Sequence, residues 1–225
     1  MSTPARRAPR SDALRNRERV LTAAEQVFAA RGLDASLEEV AAAAGVGVGT
    51  VYRRFPSKAA LLEAVFERGI DLGVELLTEC RELPTGWAAL TEYLRRSLLE
   101  QSGDRGLHEF LYLAEAAGLH FDRLRTRVEP LLTAIVEQAK SEGALRPDFR
   151  ATDIPPLILM LSRLSHTDRV LGPPLAHRYL ELLLKGLAPS PDPVPITPPI
   201  DDDTLETWFT ALRRPPRTTP PHRTP

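Results

Sequence analysis

The chain has 225 residues, enough for one or two domains, and its apolar side chains recur at helical rather than alternating spacing, which predicts an all-α fold. It contains no run of about 18 apolar residues, so no membrane span is expected, and its single cysteine excludes an internal disulfide framework and favours a reducing cytoplasm. Residues 1–60 hold ten basic and six acidic side chains in a chain of net charge −1, which is typical either of an end that contacts a polyanion or of an unevenly charged solvated surface.

Four helices are predicted in the first third of the chain, at residues 11–31, 37–44, 48–55 and 58–81. Apolar side chains lie on one face of the first helix, and Gly32 ends it. Ser36 and Glu39 form an S-x-x-E capping box at the start of the second helix. Pro56 stops the third helix, and Ser57 caps the fourth. Two short helices joined by a glycine turn therefore stand between two long ones.

Further helices are predicted at residues 87–101, 107–118, 122–142, 153–168 and 176–187, separated by Gly, Pro or Asp clusters. The tail from Pro189 holds eleven of the 21 prolines and is expected to be extended or disordered. One amphipathic helix is predicted within it, at about 203–214. The acidic run before that helix, Asp201 to Asp203, has two interpretations, a metal site or a helix cap. The cap is favoured because no second ligand cluster lies beside the run.

The run GVGVGT at residues 45–50 places three glycines directly after the alanine-rich second helix. A phosphate-binding glycine loop would have to follow a β-strand, and neither a strand pattern nor a G-K-[ST] ending is present. The alternative is a helix-turn-helix, in which Gly45 is the left-handed C-cap and Gly47 is the N-cap of the next helix. Gly49 keeps that helix end slim, as contact with DNA bases requires. The pattern favours the helix-turn-helix, and a nucleotide-binding protein or helical enzyme stays the second hypothesis.

The side chains of the third helix divide between an inner and an outer face. Val51 and Phe55, four residues apart, are expected to pack inward against the first helix. Thr50, Tyr52 and Arg53 are expected to face outward, where hydroxyl and guanidinium groups can bond phosphate oxygens or base edges. For Tyr52 the alternative is a half-buried core tyrosine.

Lys58 supplies a separate hint at the start of the fourth helix. A cation in the first turn of a helix opposes the helix dipole, and a DNA phosphate arriving at that end would reverse this effect. An ordinary surface lysine is the alternative interpretation. The lysine therefore supports the helix-turn-helix prediction without deciding it.

Three motifs occur together and in order in residues 11–70: F-A-x-x-G-x-x-A-S, V-A-x-x-A-G-V and G-T-x-Y-x-x-F-x-x-K-x-x-L. On these motifs the segment resembles the N-terminal DNA-binding domain of the TetR/AcrR-type bacterial transcriptional regulators. The rest of the chain resembles this family only in its helical layout, although HRYLELLLKGLAP looks like the last dimerisation helix of an actinobacterial-type branch. Serine is common in the family where Gly47 stands here, so a hydroxyl contact often made there cannot be carried over.

The resemblance implies a helix-turn-helix at residues 36–55, and Ser36 enters the predicted site on this ground alone. The predicted DNA-binding set is Ser36, Gly47, Gly49, Thr50, Tyr52, Arg53 and Lys58. The resemblance also implies a homodimer through helices 153–168 and 176–187. Their leucine-rich sequence agrees with helices that face both a core and a partner, and fully buried core helices are the alternative.

The resemblance further implies a ligand cavity among the C-terminal helices. Candidate lining residues, chosen by type and location, are Trp87, Phe110, Tyr112, Phe121, Met160 and His166, and an ordinary core position is the alternative for each. No H-x-x-x-H, C-x-x-C or G-x-S-x-G pattern is present, so no enzyme activity, metal or cofactor is expected. Cys80 is predicted to be a buried apolar residue rather than a redox sensor.

The predicted fold is all-α with about nine to ten helices, in an N-terminal three-helix helix-turn-helix domain and a larger C-terminal domain for ligand binding and dimerisation. The predicted units are a disordered basic arm at 1–10, the DNA-binding domain at 11–72, the C-terminal domain at 73–188 and a proline-rich tail at 189–225. The predicted function is that of a cytoplasmic transcriptional regulator. The resemblance implies a repressor released by a small-molecule effector, with an activator as the alternative. Its other partners are a palindromic double-stranded DNA operator and a second copy of the chain, with no membrane partner.

Overall fold

The computed structural model describes residues 9–32, 35–99, 121–168 and 170–190, together with positions 201, 204 and 207. Within these residues the chain forms α-helices and no β-strand, which confirms the all-α prediction. The helices are α1 Pro9–Arg31, α2 Leu37–Ala44, α3 Val48–Arg54, α4 Lys58–Arg81, α5 Gly86–Leu99, α6 Phe121–Arg127, α7 Glu129–Ser141, α8 Ile154–Thr167 and α9 Gly172–Leu187. A short 3-10 helix, Ala151–Asp153, leads into α8.

A first cluster of buried apolar side chains joins α1, α2, α3 and the first half of α4. Phe28 of α1 and Phe66 of α4 are fully buried in it. α1 packs on both α2 and α4, and α3 packs on α2. Val51 and Phe55 are buried in the same cluster, which confirms that this side of α3 faces inward.

A second cluster joins the other half of α4 to α5, α7, α8 and α9. Its fully buried members include Leu77 of α4 and Leu90 of α5, and Cys80 is buried beside them, as predicted. The predicted domain boundary between residues 72 and 73 falls inside α4, between Ile70 of the first cluster and Leu76 of the second. One continuous helix therefore carries both clusters, and the boundary itself stays a prediction.

The helix predicted over residues 122–142 is divided in two. α6 ends at Arg127 and α7 begins at Glu129, with Val128 as a turn between them. The cause is Pro130, the second residue of α7. Proline is tolerated in the first turn of a helix, where its missing N–H has no intrahelical partner, but it disrupts a helix interior.

The helix α9 begins at Gly172, four residues before the predicted start at 176. Pro173 and Pro174 occupy its first turn, so they start the helix instead of preceding it. Gly172 suits this place because a Cβ atom there would lie 2.2 Å from the backbone oxygen of Ser165 on α8. The missing side chain lets α9 approach the end of α8 closely.

The remaining differences are small or fall outside the described ranges. α1 begins at Pro9, two residues inside the arm predicted at 1–10, and α3 ends at Arg54 because Phe55 is extended before Pro56. The helix predicted at 107–118 and most of the tail helix predicted at 203–214 lie outside the described residues. Among the helices that are described, none combines the length and apolar character needed to cross a bilayer.

Candidate nucleic-acid interface

α2 starts with the predicted capping box. The Ser36 hydroxyl oxygen accepts from the Glu39 N–H at 3.2 Å, and the Ser36 N–H donates to the Glu39 carboxylate at 2.7 Å. The Arg31 guanidinium also donates to this carboxylate, and so ties the last turn of α1 to α2. The Ser36 N–H, and then the positive charge of Arg31, lower the pKa of Glu39 below its usual value. The start of α2 is thus fixed from both sides.

The turn after α2 depends on a left-handed glycine and on an arginine from α1. Gly45 has φ +63° and ψ 38°, a conformation that costs glycine little and other residues more. The Arg19 guanidinium donates to the carbonyl oxygens of Ala44 at 2.6 Å and Gly45 at 3.4 Å. These carbonyls stand at the negative end of α2, where a cation is favourable. The glycine run follows a helix, so the strand that a phosphate-binding loop needs is absent here.

α3 is held with one side in the core and the other in solvent. Gly47 is its N-cap, with an extended backbone and no capping side chain, as predicted. Val51 is buried, whereas Tyr52, with 46% exposure, and Arg53 point outward, and Thr50 is half-buried. Arg53 also donates to the Thr50 hydroxyl oxygen at 3.4 Å. The outer side of α3 carries two cations, Arg53 and Arg54, and no acid.

Tyr52 contacts α2 as well as solvent. Its hydroxyl donates to Oε1 of Glu38, in the first turn of α2, at 3.2 Å. The negative charge of Glu38 and this hydrogen bond raise the pKa of Tyr52 above its usual value. Tyr52 is thus neither a core tyrosine nor a free surface group, because its ring is exposed while its hydroxyl is held.

Lys58 is the first residue of α4, which Ser57 caps by accepting from the Ala60 N–H at 3.1 Å. The Lys58 ammonium lies 6.0 Å from the centroid of the Phe28 ring, at the outer limit of a cation–π contact. This contact offers a reason for the lysine that does not involve DNA. A contact between Lys58 and a phosphate therefore stays a prediction.

The predicted DNA-binding residues form one structural unit. The six from Ser36 to Arg53 lie on α2, the turn and α3, and Lys58 opens the helix that follows. Two further residues of this unit were not predicted from the sequence. Arg19 holds the turn, and Glu38 holds the hydroxyl of Tyr52. Neither has a local signal, because each looks like an ordinary charged residue on a helix surface and its contact lies in another helix.

The structure describes the side chains of two of the six predicted ligand residues, Trp87 and Met160. Trp87 is half-buried against the second cluster, and Met160 is 55% exposed on α8. Phe121 and His166 lie on α6 and α8 with side chains outside the described set, which also lacks Phe110 and Tyr112. A surface groove of about 610 Å³ along α6 and α7 contains none of the six. No group of three His, Cys, Asp or Glu side chains arranged to hold a metal occurs in the described ranges.

Two family models match the chain. One, described as bacterial regulatory proteins of the tetR family, matches residues 20–65. The other, described as the C-terminal domain of an SbtR-like transcriptional regulator, matches residues 86–189. The first match contains α2, the turn and α3, and the second begins at α5. The two matches together cover more than half of the chain.

Solved structures with this fold cover most of the chain. The TetR transcriptional regulator SCO0520 from Streptomyces coelicolor is 32% identical, with a TM-score of 0.58 over 77% of this chain and 99% of that one. The TetR transcription regulatory protein from Mycobacterium vanbaalenii is 27% identical, with a TM-score of 0.56 over 80% of this chain and 98% of that one.

Curated relatives match over a shorter segment. The HTH-type transcriptional regulator SAR0097 of Staphylococcus aureus strain MRSA252 is 40% identical over 68 residues, which are 29% of this chain and 35% of that protein. A second group of Staphylococcus aureus HTH-type regulators is 30% identical over 90 residues, or 47% of their length. The chain thus spans between a third and a half of the length of the curated relatives it matches. All of these relatives are transcriptional regulators rather than enzymes.

Proposed function

This chain belongs to the TetR family of bacterial transcriptional regulators, and we propose that it is a homodimeric repressor that a small molecule releases from a partly palindromic operator. The observation that carries the proposal is the orientation of α3, which has one side in the core and the other side in solvent. Val51 and Phe55 are buried, so Tyr52 and Arg53 stand on the opposite, exposed side. A recognition helix needs this division between an anchored and a free face.

The chemistry of the exposed side supports the DNA-contacting role of the predicted set. Arg53 presents a guanidinium that can bond guanine bidentately, and the Thr50 hydroxyl can serve base or phosphate. A Cβ atom added at Gly47 or Gly49 would meet no neighbouring atom within 4 Å, so the N-terminal end of α3 has open space for an approaching duplex. Arg53 would supply base recognition, while Ser36 and Lys58 would contact phosphates.

A face of α8 and α9 supports the homodimer. Its exposed apolar side chains are Met160 of α8 and Leu175, Tyr179 and Leu182 of α9. On α9 this stripe lies beside the buried stripe of Ala176, Leu180 and Leu184, so the helix is apolar on more than its core side. Several large apolar side chains left exposed along one helix are typical of an interaction site. A two-fold axis would pair this α8–α9 face with itself and would set two recognition helices on one duplex.

The proposed effector would bind among the C-terminal helices. Trp87 is a suitable lining residue for it, because its half-buried side chain packs against the second cluster. Phe110, Tyr112, Phe121 and His166 are retained as candidates. Met160 suits the α8–α9 face better than a pocket within one protomer, because its side chain is exposed. Repression would then take place in the bacterial cytoplasm, where the operator lies.

Fluorescence anisotropy tests the DNA-binding part of the proposal. An operator would be selected by the wild-type protein from a randomised duplex library and compared with a random duplex at one stated salt concentration. We expect a preference of about 10³-fold or more for the operator, and an affinity for either duplex that falls steeply with salt. Tyr52→Ala should reduce the preference sharply. Leu72→Ala, which shortens an exposed side chain of α4 away from α3, serves as the control.

Equal, weak binding of both duplexes by wild type and Tyr52→Ala would contradict the proposal. A selected operator with a single half-site, bound by a monomer at micromolar concentration, would contradict the homodimer. Once the operator is known, release of the bound duplex gives a direct screen for the effector. A library in which no compound lowers operator occupancy would leave DNA binding intact and contradict ligand release.

A further inference from the structure

Glu38 places a carboxylate on the surface that would face DNA. It is the second residue of α2, and its side chain is exposed. Its Oε1 atom accepts a hydrogen bond from the Tyr52 hydroxyl at 3.2 Å, across the two helices of the helix-turn-helix. Its charge also raises the pKa of Tyr52. This acid therefore acts on a side chain that is predicted to contact DNA.

Stabilisation of α2 does not by itself explain the contact. An acid in the first turn of a helix interacts favourably with the helix dipole. The neighbouring Glu39 already supplies such an acid and closes the capping box with Ser36. Glu38 instead bonds to α3, where its charge is unfavourable for every phosphate that approaches.

A charge that opposes binding can still improve discrimination. Binding to random DNA depends almost wholly on electrostatic attraction to phosphates, so a nearby carboxylate weakens it directly. Binding to the operator adds base contacts, and these depend on the orientation of the side chains of α3. A group that holds Tyr52 in place lowers the side-chain entropy lost on forming those contacts. Specificity rises when one residue strengthens the complex with the operator and weakens the complex with random DNA.

We propose that Glu38 is a specificity-determining residue of the DNA-binding face, an inference that rests on the function proposed above. At the operator it acts through Tyr52, whose hydroxyl it holds before DNA arrives. At random DNA it acts directly, by repelling phosphates in complexes that no base contact fixes. Substitution of Glu38 should therefore lower the ratio of operator affinity to random-DNA affinity, and not only shift both affinities together.

The test measures both affinities for Glu38→Ala, with the selected operator and a random duplex at one salt concentration. Operator affinity should fall about fivefold, as expected for the loss of one ordinary hydrogen bond. Affinity for random DNA should rise about threefold, as expected when one like charge near a phosphate is removed. The ratio of the affinities should then fall roughly tenfold or more.

Glu38→Gln separates the hydrogen bond from the charge. Its amide oxygen can still accept from the Tyr52 hydroxyl, but the side chain is neutral. Operator affinity should not fall, whereas affinity for random DNA should rise as it does for Glu38→Ala. This variant also covers the case in which the alanine variant folds poorly, since it conserves shape.

Tyr52→Phe shows whether Glu38 acts by positioning Tyr52 or by a general effect on α2. In that background Glu38→Ala should no longer lower operator affinity, because the hydroxyl that it holds is absent. Glu75→Ala makes the same change of charge at an exposed site on α4, about 25 Å along the helix from Lys58. This control should leave the ratio unchanged.

The outcomes separate the inference from the proposed function. An unchanged ratio in Glu38→Ala, or a loss of operator affinity that persists beside Tyr52→Phe, overturns the inference while wild type still prefers its operator. A wild-type protein that selects no preferred duplex overturns both.

Discussion

At the corner of the helix-turn-helix, Gly45 and Arg19 act as a pair. The left-handed conformation of Gly45 turns the chain away from α2, and the N–H groups of Gly45 and Val46 donate to the carbonyl oxygens of Ala42 and Ala41. Arg19 bonds the last carbonyl of α2 from α1, with its guanidinium 2.6 Å from the Ala44 oxygen. A Cβ atom on Gly45 would lie 3.1 Å from that guanidinium. The φ angle of Gly45 therefore favours glycine, and a Cβ atom there would also make the Arg19 guanidinium shift by a few tenths of an ångström, unlike at Gly47 and Gly49.

Substitution of Gly49 is expected to change stability and DNA binding in opposite directions. It lies in the first turn of α3 with a helical backbone, and a Cβ atom added there would have no neighbour within 4 Å. Gly49→Ala should therefore raise the free energy of unfolding by about 0.5–1 kcal/mol, because alanine loses less backbone entropy. Operator affinity should fall, because the added methyl group would meet the duplex at the helix end that is proposed to contact bases. Urea unfolding and anisotropy measure the two effects.

Gly45→Ala is the matched control for this prediction. It adds the same methyl group, but at φ +63° it should lower the free energy of unfolding by about 1–2 kcal/mol. A Gly49→Ala protein that is more stable and binds its operator as tightly as wild type would show that the end of α3 does not approach DNA.

At the scale of the helix, the capping box makes the start of α2 sensitive to acid. The pKa of Glu39 is lower in the folded protein than its ordinary value of 4.5, chiefly because its carboxylate accepts the Ser36 N–H. The stabilising contribution of the charge is therefore fully present above about pH 4.5 and is lost as pH falls through the lower folded value. Glu39→Gln conserves an acceptor and removes this charge.

Wild type should accordingly be more stable than Glu39→Gln at neutral pH, and the difference should shrink on acidification. Urea unfolding at pH 7, 5, 4 and 3 measures it, within the acid range where Glu39 titrates. A difference that grows as pH falls would mean that the carboxylate is not the stabilising form.

α1 and α4 are joined by a partly buried ion pair. The Arg68 guanidinium donates to the fully buried Glu25 and to Glu18 at 3.1 Å. Arg68→Met should lower the free energy of unfolding by about 3 kcal/mol or more, since it leaves a buried carboxylate without its arginine. The double variant Glu25→Leu with Arg68→Met should recover most of this loss, because no buried charge remains. A double variant as unstable as the single one would show that packing, not charge, sets the cost.

Local signals explain why most helix ends were predictable. Ser36, Gly45, Pro56 and Ser57 each act within their own turn, and the structure places both ends of α2 and the start of α4 where these residues predict them. The inward side of α3 followed from the spacing of its apolar residues. The break before α7 was missed because the predicted periodicity continued through Pro130.

Contacts between helices were not predictable in the same way. Arg68 and Glu25 are 43 residues apart, and Arg19 and Ala44 are 25 apart. A charged residue on a helix surface looks the same in sequence whether it faces solvent or another helix. The outward residues of the candidate site could thus be predicted, whereas Glu38, which bonds Tyr52 from 14 residues away, could not.

Across the whole molecule, α4 relates the helix-turn-helix to the rest of the chain. Its first half is buried in the cluster of α1 to α3, and its second half in the cluster of α5, α7, α8 and α9. Ion pairs from α6 reach the same helix, where Arg127 lies 2.7 Å from Asp71 and Arg123 lies 3.3 Å from Glu63. Among the described residues, α4 thus connects α3 with the α8–α9 face, because both clusters pack on it.

The α8–α9 face leads to a prediction about assembly. Leu182 is 50% exposed in the protomer, so a charge there does not disturb the core of α9. In a two-fold dimer the same residue would be buried twice, and Leu182→Glu would place two carboxylates in an apolar contact. Sedimentation should therefore show a monomer at micromolar concentration, with thermal unfolding showing that the protomer still folds.

Loss of the dimer should then weaken DNA binding without any change in α3. A dimer that holds one half-site presents its second recognition helix at high effective concentration, and losing this advantage costs about 10²–10⁴-fold in affinity for the full operator. Affinity for an isolated half-site should stay the same. Leu72→Glu, a charge on an exposed leucine of α4, should leave both assembly and binding unchanged. If Leu182→Glu remained a dimer while binding fell, the partner surface would lie elsewhere on the chain.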